Sequence, residues 1–309
     1  MQYSEDTHTR AKENNIEMVS TDIALVEASN YIISIVPPRD ALGIAHRITA
    51  AFNALSAPKE LYYIDLNAIS PRRAREIASH FQSTAPSIKL IDGGIVGGPP
   101  FLKSGTGPST EISIPGAISS VQSDSETGHA WNRPDVPVSG PHDLIDAPVS
   151  GAHLSETLNL NHISQEIGPA SGLKCCFASA TKGFIAICIQ SFTTASNLGV
   201  LPLLQELMEQ RMPGQVKAAK SGVTGMPPKA YRWVREMEEI ALAHADDGGF
   251  QGGKDGTGVF GEIAKVYKSV ADETILGEEK TERRKRGLTV EDVASTMGDG
   301  LGKKKKKTE

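Results

Sequence analysis

A lysine at the start of a long apolar segment is the residue of this chain best suited to acid–base chemistry. Lys174 follows Gly172 and Leu173 and opens a mostly apolar stretch, residues 173–198, that is typical of a buried helix. Burial disfavours the charged ammonium and lowers the pKa of a lysine towards the range in which a general acid or base works. A lysine whose stem covers the helix end while its ammonium reaches water is the alternative.

A glycine-rich segment follows a predicted strand earlier in the chain. Residues 88–96 are apolar enough for a buried strand, and residues 92–100 read Asp-Gly-Gly-Ile-Val-Gly-Gly-Pro-Pro. Open α/β sheets bind ligands at the carboxyl ends of their strands, and glycines there expose backbone amides to an anion. The pattern favours a ligand site at residues 92–100, and a glycine-rich turn without a ligand is the alternative.

These two segments resemble the β-hydroxyacid dehydrogenases, which include the 3-hydroxyisobutyrate and 6-phosphogluconate dehydrogenases. The family has Asp-Ala-Pro-Val-Ser-Gly-Gly at this strand end, and this sequence has Asp-Gly-Gly-Ile-Val-Gly-Gly in the same frame. The family's substrate-binding serine falls on Val96, whereas the next two glycines, Gly97 and Gly98, are kept. The Gly-Gly-Pro-Pro ending resembles a branch named for a C-terminal NAD-binding phosphogluconate dehydrogenase domain.

The resemblance implies a catalytic lysine and a set of substrate-binding residues. Lys174 would exchange a proton with the substrate hydroxyl during hydride transfer, and Gly97 and Gly98 would bind the polar end of the substrate. The family's substrate-binding asparagine falls on Ala178, with Ser179 beside it.

Two further cations stand where they could contact an acidic substrate. Lys182 follows Lys174 by about two helical turns and is either a second substrate-binding cation or a structural residue. Arg232 lies in a predicted helix that mixes aromatic residues and arginines. That helix favours domain packing, and a contact between Arg232 and a substrate carboxylate or a partner subunit is the alternative.

The resemblance implies NAD or NADP as cofactor, with matching residues only around its nicotinamide half. These are Val36, Pro37 and Pro38 after one strand and Asn67 and Ala68 after the next. The alternative is that both stretches are ordinary strand-to-helix turns without a cofactor. No Gly-x-Gly-x-x-Gly precedes residue 16, so the first strand, glycine loop, helix and second strand of the family are expected to be missing. Either they were lost, or a segment upstream of this sequence supplies them.

Two literal motif matches lie in unsuitable contexts. Residues 256–261 read Gly-Thr-Gly-Val-Phe-Gly, but no strand is predicted before them, which favours a loop at a helix start over a nucleotide site. Residues 146–151 read Asp-Ala-Pro-Val-Ser-Gly and match the family motif, but they follow a loop-like stretch. We interpret them as a chance match, with Ser150 as an alternative substrate-binding residue.

The elements that must position these residues alternate between strand and helix in the first half. Strands are predicted at residues 16–19, 31–36, 61–66 and 88–96, and helices at 21–29, 40–55 and from 70 onwards. The apolar 31–36 strand is expected to be buried on both faces. Later helices are predicted at 201–209, 230–245, 262–271 and 289–297, with a short strand at 136–138.

The predicted fold class is α/β, with a truncated Rossmann-like parallel sheet followed by an all-α domain like that of 6-phosphogluconate dehydrogenase. Residues 1–165 would form the incomplete dinucleotide-binding domain, interrupted by a loop insertion at 98–143 that is rich in Gly, Pro, Ser and Asp. Residues 166–300 would form the all-α substrate-binding and dimerisation domain, and residues 301–309 a disordered basic tail.

The composition of the chain limits which binding partners and which cellular compartment are expected. The 309 residues carry a net charge of -5, and the pI of about 5.9 does not favour nucleic acid. No continuous apolar run reaches the ~18 residues of a membrane span. The three cysteines have no metal-ligand spacing and are expected to be reduced thiols, as in a cytoplasmic protein. The basic runs at 283–286 and 303–307 leave nuclear entry open.

The resemblance therefore predicts an NAD(P)-dependent oxidoreductase that acts on a small hydroxy acid, as a homodimer formed through the helical half. The alternative is a non-catalytic relative that binds a metabolite or another protein. The missing glycine loop, Val96 in place of serine and Ala178 in place of asparagine favour that alternative.

Overall fold

The computed structural model describes residues 5–57, 59–102, 131–250 and 258–308. Strands alternate with helices in the first half of the chain, and helices dominate the second half. The strands are β1 (Tyr31–Ser34), β2 (Leu61–Asp65), β3 (Ile88–Gly93), β4 (Phe101–Leu102), β5 (Trp131–Asn132), β6 (Val136–Ser139) and β7 (Leu160–Ser164). The helices are α1 (Glu5–Glu13), α2 (Asp22–Ala28), α3 (Ala41–Asn53), α4 (Pro71–Thr84), α5 (Gly151–Leu158), α6 (Pro169–Asn197), α7 (Leu201–Arg211), α8 (Pro213–Gly225), α9 (Ala230–Asp246), α10 (Gly258–Glu273) and α11 (Val290–Thr308).

Five strands form the main sheet in the order β1-β2-β3-β6-β7. Strands β1, β2 and β3 are parallel, and β6 runs antiparallel to β3 and parallel to β7. The sheet is therefore mixed, and its three parallel strands end on the same edge. The short strands β4 and β5 pair separately as an antiparallel ribbon.

Helices cover both faces of the sheet. All five residues of β2 are buried, because the alternating side chains of a strand enter a core on each face. Leu61 and Tyr63 pack with residues of α2, α3 and α4, whereas Tyr62 and Ile64 pack with Leu144 and its neighbours on the opposite face. The sequence also predicts helix caps at Thr21, Asp40 and Ser70. The caps at Thr21 and Ser70 are confirmed, since both hydroxyls accept a backbone hydrogen bond from the first turn of their helix, whereas Asp40 makes no such bond with α3.

Two expectations about the first strands are wrong. Residues 16–19 form no strand and are exposed to solvent. Strand β1 is not buried on both faces, because only the face that carries Ile32 and Ser34 is covered. Within the described residues it also pairs only with β2 and forms an edge of the sheet. Ile33 and Ile35 are accordingly exposed. Apolar composition alone does not distinguish an edge strand from a central one, because that difference depends on pairing partners.

The second half of the chain packs around α6. One apolar cluster joins α6 to α7, α8, α9, α10 and α11. Helix α8 was not predicted, because its sequence contains three glycines and little apolar periodicity. Gly222 shows why a glycine stands there: a Cβ at this position would lie 2.5 Å from Ile185 Cγ1, so its absence allows α8 to approach α6 closely.

Helix α6 is long and apolar enough to cross a membrane by length and composition, although charged and polar residues interrupt its apolar runs. Its contacts with the surrounding helices are those of the core helix of a folded domain. The helix also carries the three cysteines, all of which are free thiols.

The domain boundaries expected from the sequence stay a prediction. The insertion at 98–143 contains β6, at the place where a short strand was expected, while residues 103–130 lie outside the described residues. The tail at 301–309 is not disordered where it is described, because α11 continues to Thr308.

Candidate active site

Asp92 joins the sheet to the N-terminus of α6. It lies near the end of β3, is 1% exposed, and accepts hydrogen bonds from Ser139 Oγ, Ser171 Oγ and the backbone amides of Gly168 and Ser171. Residue Gly168 precedes α6 and has no side chain to cap the helix, so the Asp92 carboxylate satisfies amides of the first turn instead. Burial raises the pKa of Asp92, and its hydrogen bonds lower it in part.

Lys174 lies in the second turn of α6 and reaches back to the glycine-rich segment. Its ammonium donates a hydrogen bond to the carbonyl oxygen of Ile95, just beyond the end of β3. Burial lowers the pKa of Lys174 to about 8, and Arg232 contributes to the shift. The structure thus brings together the two segments that the sequence singled out, and it gives the lysine a pKa close to neutral pH.

The glycine-rich segment has two parts with different roles. A Cβ on Gly93 would lie 2.7 Å from Leu66 Cδ2, and a Cβ on Gly94 would lie 2.8 Å from Lys174 Cβ. The missing side chain at Gly93 therefore permits close packing against Leu66 and Val138, and the missing side chain at Gly94 permits close packing of α6 near the end of β3. Gly97 adopts a positive φ of 121°, and Gly98 has no neighbouring atom within 4 Å of a Cβ position. Gly97 and Gly98 are exposed, as substrate-binding residues must be, and that role stays a prediction.

We expect Gly94→Ala to displace Lys174 and lower the free energy of unfolding by about 1–3 kcal/mol, because overpacking forces backbone or side-chain shifts. Gly98→Ala is the matched control and should change it by less than about 0.5 kcal/mol, because an open site accepts a methyl group. Urea unfolding of both variants measures the difference. Equal stability of the two variants would contradict the close contact between Gly94 and Lys174.

The residues predicted for the nicotinamide side form one connected turn. Asn67 is buried; its side-chain oxygen accepts from the amide of Val36, and its side-chain nitrogen donates to Ser34 Oγ. Asn67 thus ties the loop after β1 to the loop after β2. Pro37 is exposed and Ala68 is half-buried.

This turn fits the nicotinamide half of a dinucleotide. Val36, Pro37 and Ala68 offer a partly exposed apolar wall, and Asn67 holds the two loops together rather than offering a free amide. Pro38 is buried beneath the loop. At the end of β2, Asp65 has a buried carboxylate oxygen without a hydrogen-bond partner, and burial raises the pKa of Asp65 to about 7.

A group of cations lies beside Lys174. Lys182 forms an ion pair with Glu236 of α9, and its ammonium lies 5.2 Å from the ring centre of Trp233. Arg232 Nε is 3.9 Å from the other oxygen of Glu236, and half of its side chain is exposed. The predicted residue Ser179 donates its hydroxyl hydrogen bond to Cys176 O within α6. Its substrate-binding role stays a prediction.

Glu239 is a buried carboxylate that the sequence analysis did not identify. Its hydrogen bonds connect α9 to the start of α4. Glu239 is fully buried and accepts hydrogen bonds from both the amide and the hydroxyl of Ser70, the residue that caps α4. Arg235 lies 3.3 Å from its other oxygen. The residue types alone give no signal for this contact, because 169 positions separate Ser70 and Glu239.

The two literal motif matches lie away from Lys174. Residues 146–151 form a turn before α5, where Tyr31 at the start of β1 donates a hydrogen bond to Pro148 O. Ser150 thus lies towards the opposite end of β1 from the candidate site. Of the Gly-Thr-Gly-Val-Phe-Gly match, residues 258–261 open α10 in the helical half, and residues 256 and 257 lie outside the described residues.

Two cavities also lie elsewhere in the described structure. A cavity of about 440 Å³ lies between α6 and α7, next to Leu198 and Leu204. A second cavity of about 310 Å³ lies between α3, α4 and α9. Within the described residues, no three His, Cys, Asp or Glu side chains are grouped as a metal site would require.

Comparison with known proteins agrees with this architecture. Residues 195–270 match a family described as "Domain of unknown function (DUF1932)". No protein with a curated functional description is similar in sequence to this chain.

Several solved structures share the fold. A conserved hypothetical protein from Sinorhizobium meliloti 1021 is 16% identical, with a TM-score of 0.55 over 96% of this chain and 83% of its own. Conserved protein MTH1747, whose structure resembles 3-hydroxyacid dehydrogenases, is 20% identical, with a TM-score of 0.51 over 87% of this chain and 84% of its own.

Mycobacterium tuberculosis 3-hydroxyisobutyrate dehydrogenase, solved with L-serine, is 14% identical, with a TM-score of 0.52 over 94% of this chain and 86% of its own. These similarities confirm the predicted fold class, a Rossmann-like domain followed by an all-helical one. The chain therefore has the fold of the 3-hydroxyacid dehydrogenases and carries a DUF1932 domain in its helical half.

Proposed function

We propose that this protein is an NAD(P)-dependent oxidoreductase that acts on a small β-hydroxy acid. The observation that carries the proposal is the placement of Lys174, whose partly buried ammonium lies at the carboxyl end of β3 and has a pKa of about 8. The solved M. tuberculosis 3-hydroxyisobutyrate dehydrogenase contains L-serine, which carries a hydroxyl group β to its carboxylate. A small hydroxy acid is therefore the substrate class that this fold supports best.

Lys174 would hold or accept the proton of the substrate hydroxyl. In the direction of oxidation its neutral amine removes that proton, and in the direction of reduction its ammonium returns it. A pKa of about 8 keeps both forms populated near neutral pH. The exposed amides around Gly97 and Gly98 would bind the polar end of the substrate, and α6 holds the lysine because Asp92 fixes its first turn.

A bound NAD or NADP would supply the hydride acceptor or donor. Val36, Pro37 and Ala68 would contact its nicotinamide ring, while Asn67 keeps the two loops in register. Their apolar surfaces would exclude water from one side of the reacting atoms. We further propose that the protein is cytoplasmic and forms a homodimer through its helical half.

The test is a fluorescence titration of the full chain with NADH and with NADPH. We expect saturable binding in the micromolar range, and Ala68→Phe should weaken it at least about tenfold by filling the wall of the cleft. Ala54→Phe, at an exposed helix end, is the control and should bind as the unchanged protein does. Lack of binding up to millimolar cofactor would overturn the proposal.

A non-catalytic relative that binds a metabolite or a protein is the second candidate. Val96 and Ala178 favour it, since both replace polar residues that bind substrate in the resembling enzymes. Val96 is engaged in a backbone bridge with Asp135, and Ala178 is buried in the helical core. Ligand binding without any turnover of hydroxy acids would support this candidate.

A further inference from the structure

We propose that the cations beside Lys174 bind a second anionic group, so that the ligand of this cleft is a hydroxy acid with two anionic groups. This inference rests on the proposed function for the reacting hydroxyl, and it adds the charge of the substrate. The cationic cluster comprises Lys174 and Lys182 of α6, Arg232 of α9 and Lys229, which immediately precedes α9.

Among the residues that the structure describes, Glu236 is the carboxylate that forms ion pairs with this cluster. Glu236 pairs with Lys182 through one oxygen and lies 3.9 Å from Arg232 through the other. Lys174 contacts a backbone carbonyl instead of a carboxylate. Among the described residues, Lys182 and Arg232 lie beside Glu236, whereas Lys174 and Lys229 form no ion pair. The cluster thus has more basic side chains than paired carboxylates, near the place where α6 meets the end of β3.

Mutual repulsion shows that these charges are close. After burial, Arg232 lowers the pKa of Lys174, and Arg232 and Arg284 both lower the pKa of Lys229. Burial lowers the pKa of Lys182 well below its usual value, and the charges of Lys174 and Arg232 add to that shift. Like charges held together in a partly buried site favour the binding of an anion, because an anion relieves the repulsion.

A single carboxylate does not account for the whole cluster. Lys174 and Lys182 are eight residues apart on α6, which places their Cα atoms about 12 Å apart along the helix axis. A carboxylate at the glycine-rich segment lies at the Lys174 end, beside the reacting hydroxyl. Arg232 at the other end has an exposed planar guanidinium that can bind a carboxylate or a phosphate through two parallel hydrogen bonds.

The experiment measures the binding of short dicarboxylates without any turnover. The chain has two tryptophans, and Trp233 lies beside Lys182, so Trp131→Phe leaves one reporter in the cluster. Malonate, succinate and glutarate are titrated against propionate, butyrate and valerate of the same chain length. We expect at least one dicarboxylate to bind about tenfold more tightly than its monocarboxylate partner.

Three arms complete the test. Arg232→Ala should reduce the affinity for that dicarboxylate about tenfold and leave the monocarboxylate affinity unchanged. Arg211→Ala, an exposed arginine on α7, is the matched control and should alter neither. A comparison of 3-phosphoglycerate with glycerate determines whether phosphate serves as the second anion.

Two results would overturn the inference: equal affinity for dianions and monoanions of the same length, or dianion binding that Arg232→Ala does not change. The NADH titration separates this inference from the proposed function. Dianion preference without cofactor binding would support the anion site and reject the dehydrogenase. Cofactor binding without dianion preference would support the dehydrogenase and reject the anion site.

Discussion

Replacing Lys174 with alanine is expected to reduce the turnover of hydroxy acids by about 10²–10⁴-fold, the usual contribution of a general acid–base residue. The reason is geometric, because Lys174 is the titratable group whose ammonium lies at the Ile95 carbonyl, beside the exposed glycines. The measurement is the formation of reduced cofactor from NAD or NADP with a panel of small 3-hydroxy acids. The cofactor affinity of the variant should be nearly unchanged.

The control for this prediction is Lys174→Arg, which keeps a positive charge that does not titrate in the working range. It should be as inactive as the alanine variant, because a permanent cation cannot accept the proton of the hydroxyl. Turnover in the direction of oxidation should rise as the pH increases through about 8, because the neutral amine is the active form. Turnover that survives in both variants would exclude Lys174 as the catalytic base.

Asp92→Ala is expected to lower the free energy of unfolding by about 3 kcal/mol or more, the second large effect. The substitution leaves the hydroxyls of Ser139 and Ser171 and the amides of Gly168 and Ser171 without their acceptor in a buried site. Each unsatisfied buried donor costs about 1–3 kcal/mol, although removal of a buried charge offsets part of this cost. Thermal unfolding should show a midpoint lower by about 5–10 °C.

Asp146→Ala provides the matched control for Asp92. This aspartate is exposed, and its loss should change stability by less than about 0.5 kcal/mol. Ser139→Ala removes one donor to Asp92 together with the acceptor for the amide of Ala170, so an intermediate effect is expected. If Asp92→Ala were as stable as Asp146→Ala, the carboxylate would not hold the start of α6.

Local signals predicted the helix starts well. Thr21 and Ser70 cap their helices as expected, because a cap depends on residues within one turn of it. Helix α8 was missed for the opposite reason. Its glycines argue against a helix locally, and the packing of Gly222 against Ile185 of α6 explains why one of them is there.

The sequence predicted individual residues of the candidate site but not the hydrogen bonds that join them. Lys174 and the glycine-rich segment stood out by type and position, and the structure joins them through the Ile95 carbonyl. Asp92 belongs to the same motif, but its hydrogen bonds to α6 span 79 positions to Ser171. Glu239 carried no signal at all, since a glutamate in an amphipathic helix is usually exposed.

By itself the sequence determined most of the helices and strands, where several of them begin, and which lysine could exchange a proton. These properties depend on neighbours within a few positions, which propensity and capping record. Only the tertiary structure decided that β1 is an edge strand, that Asp92 caps α6, and that Glu236 is the carboxylate between Lys182 and Arg232. Those features depend on contacts between distant positions, because pairing partners and buried charges are set by packing and not by local composition.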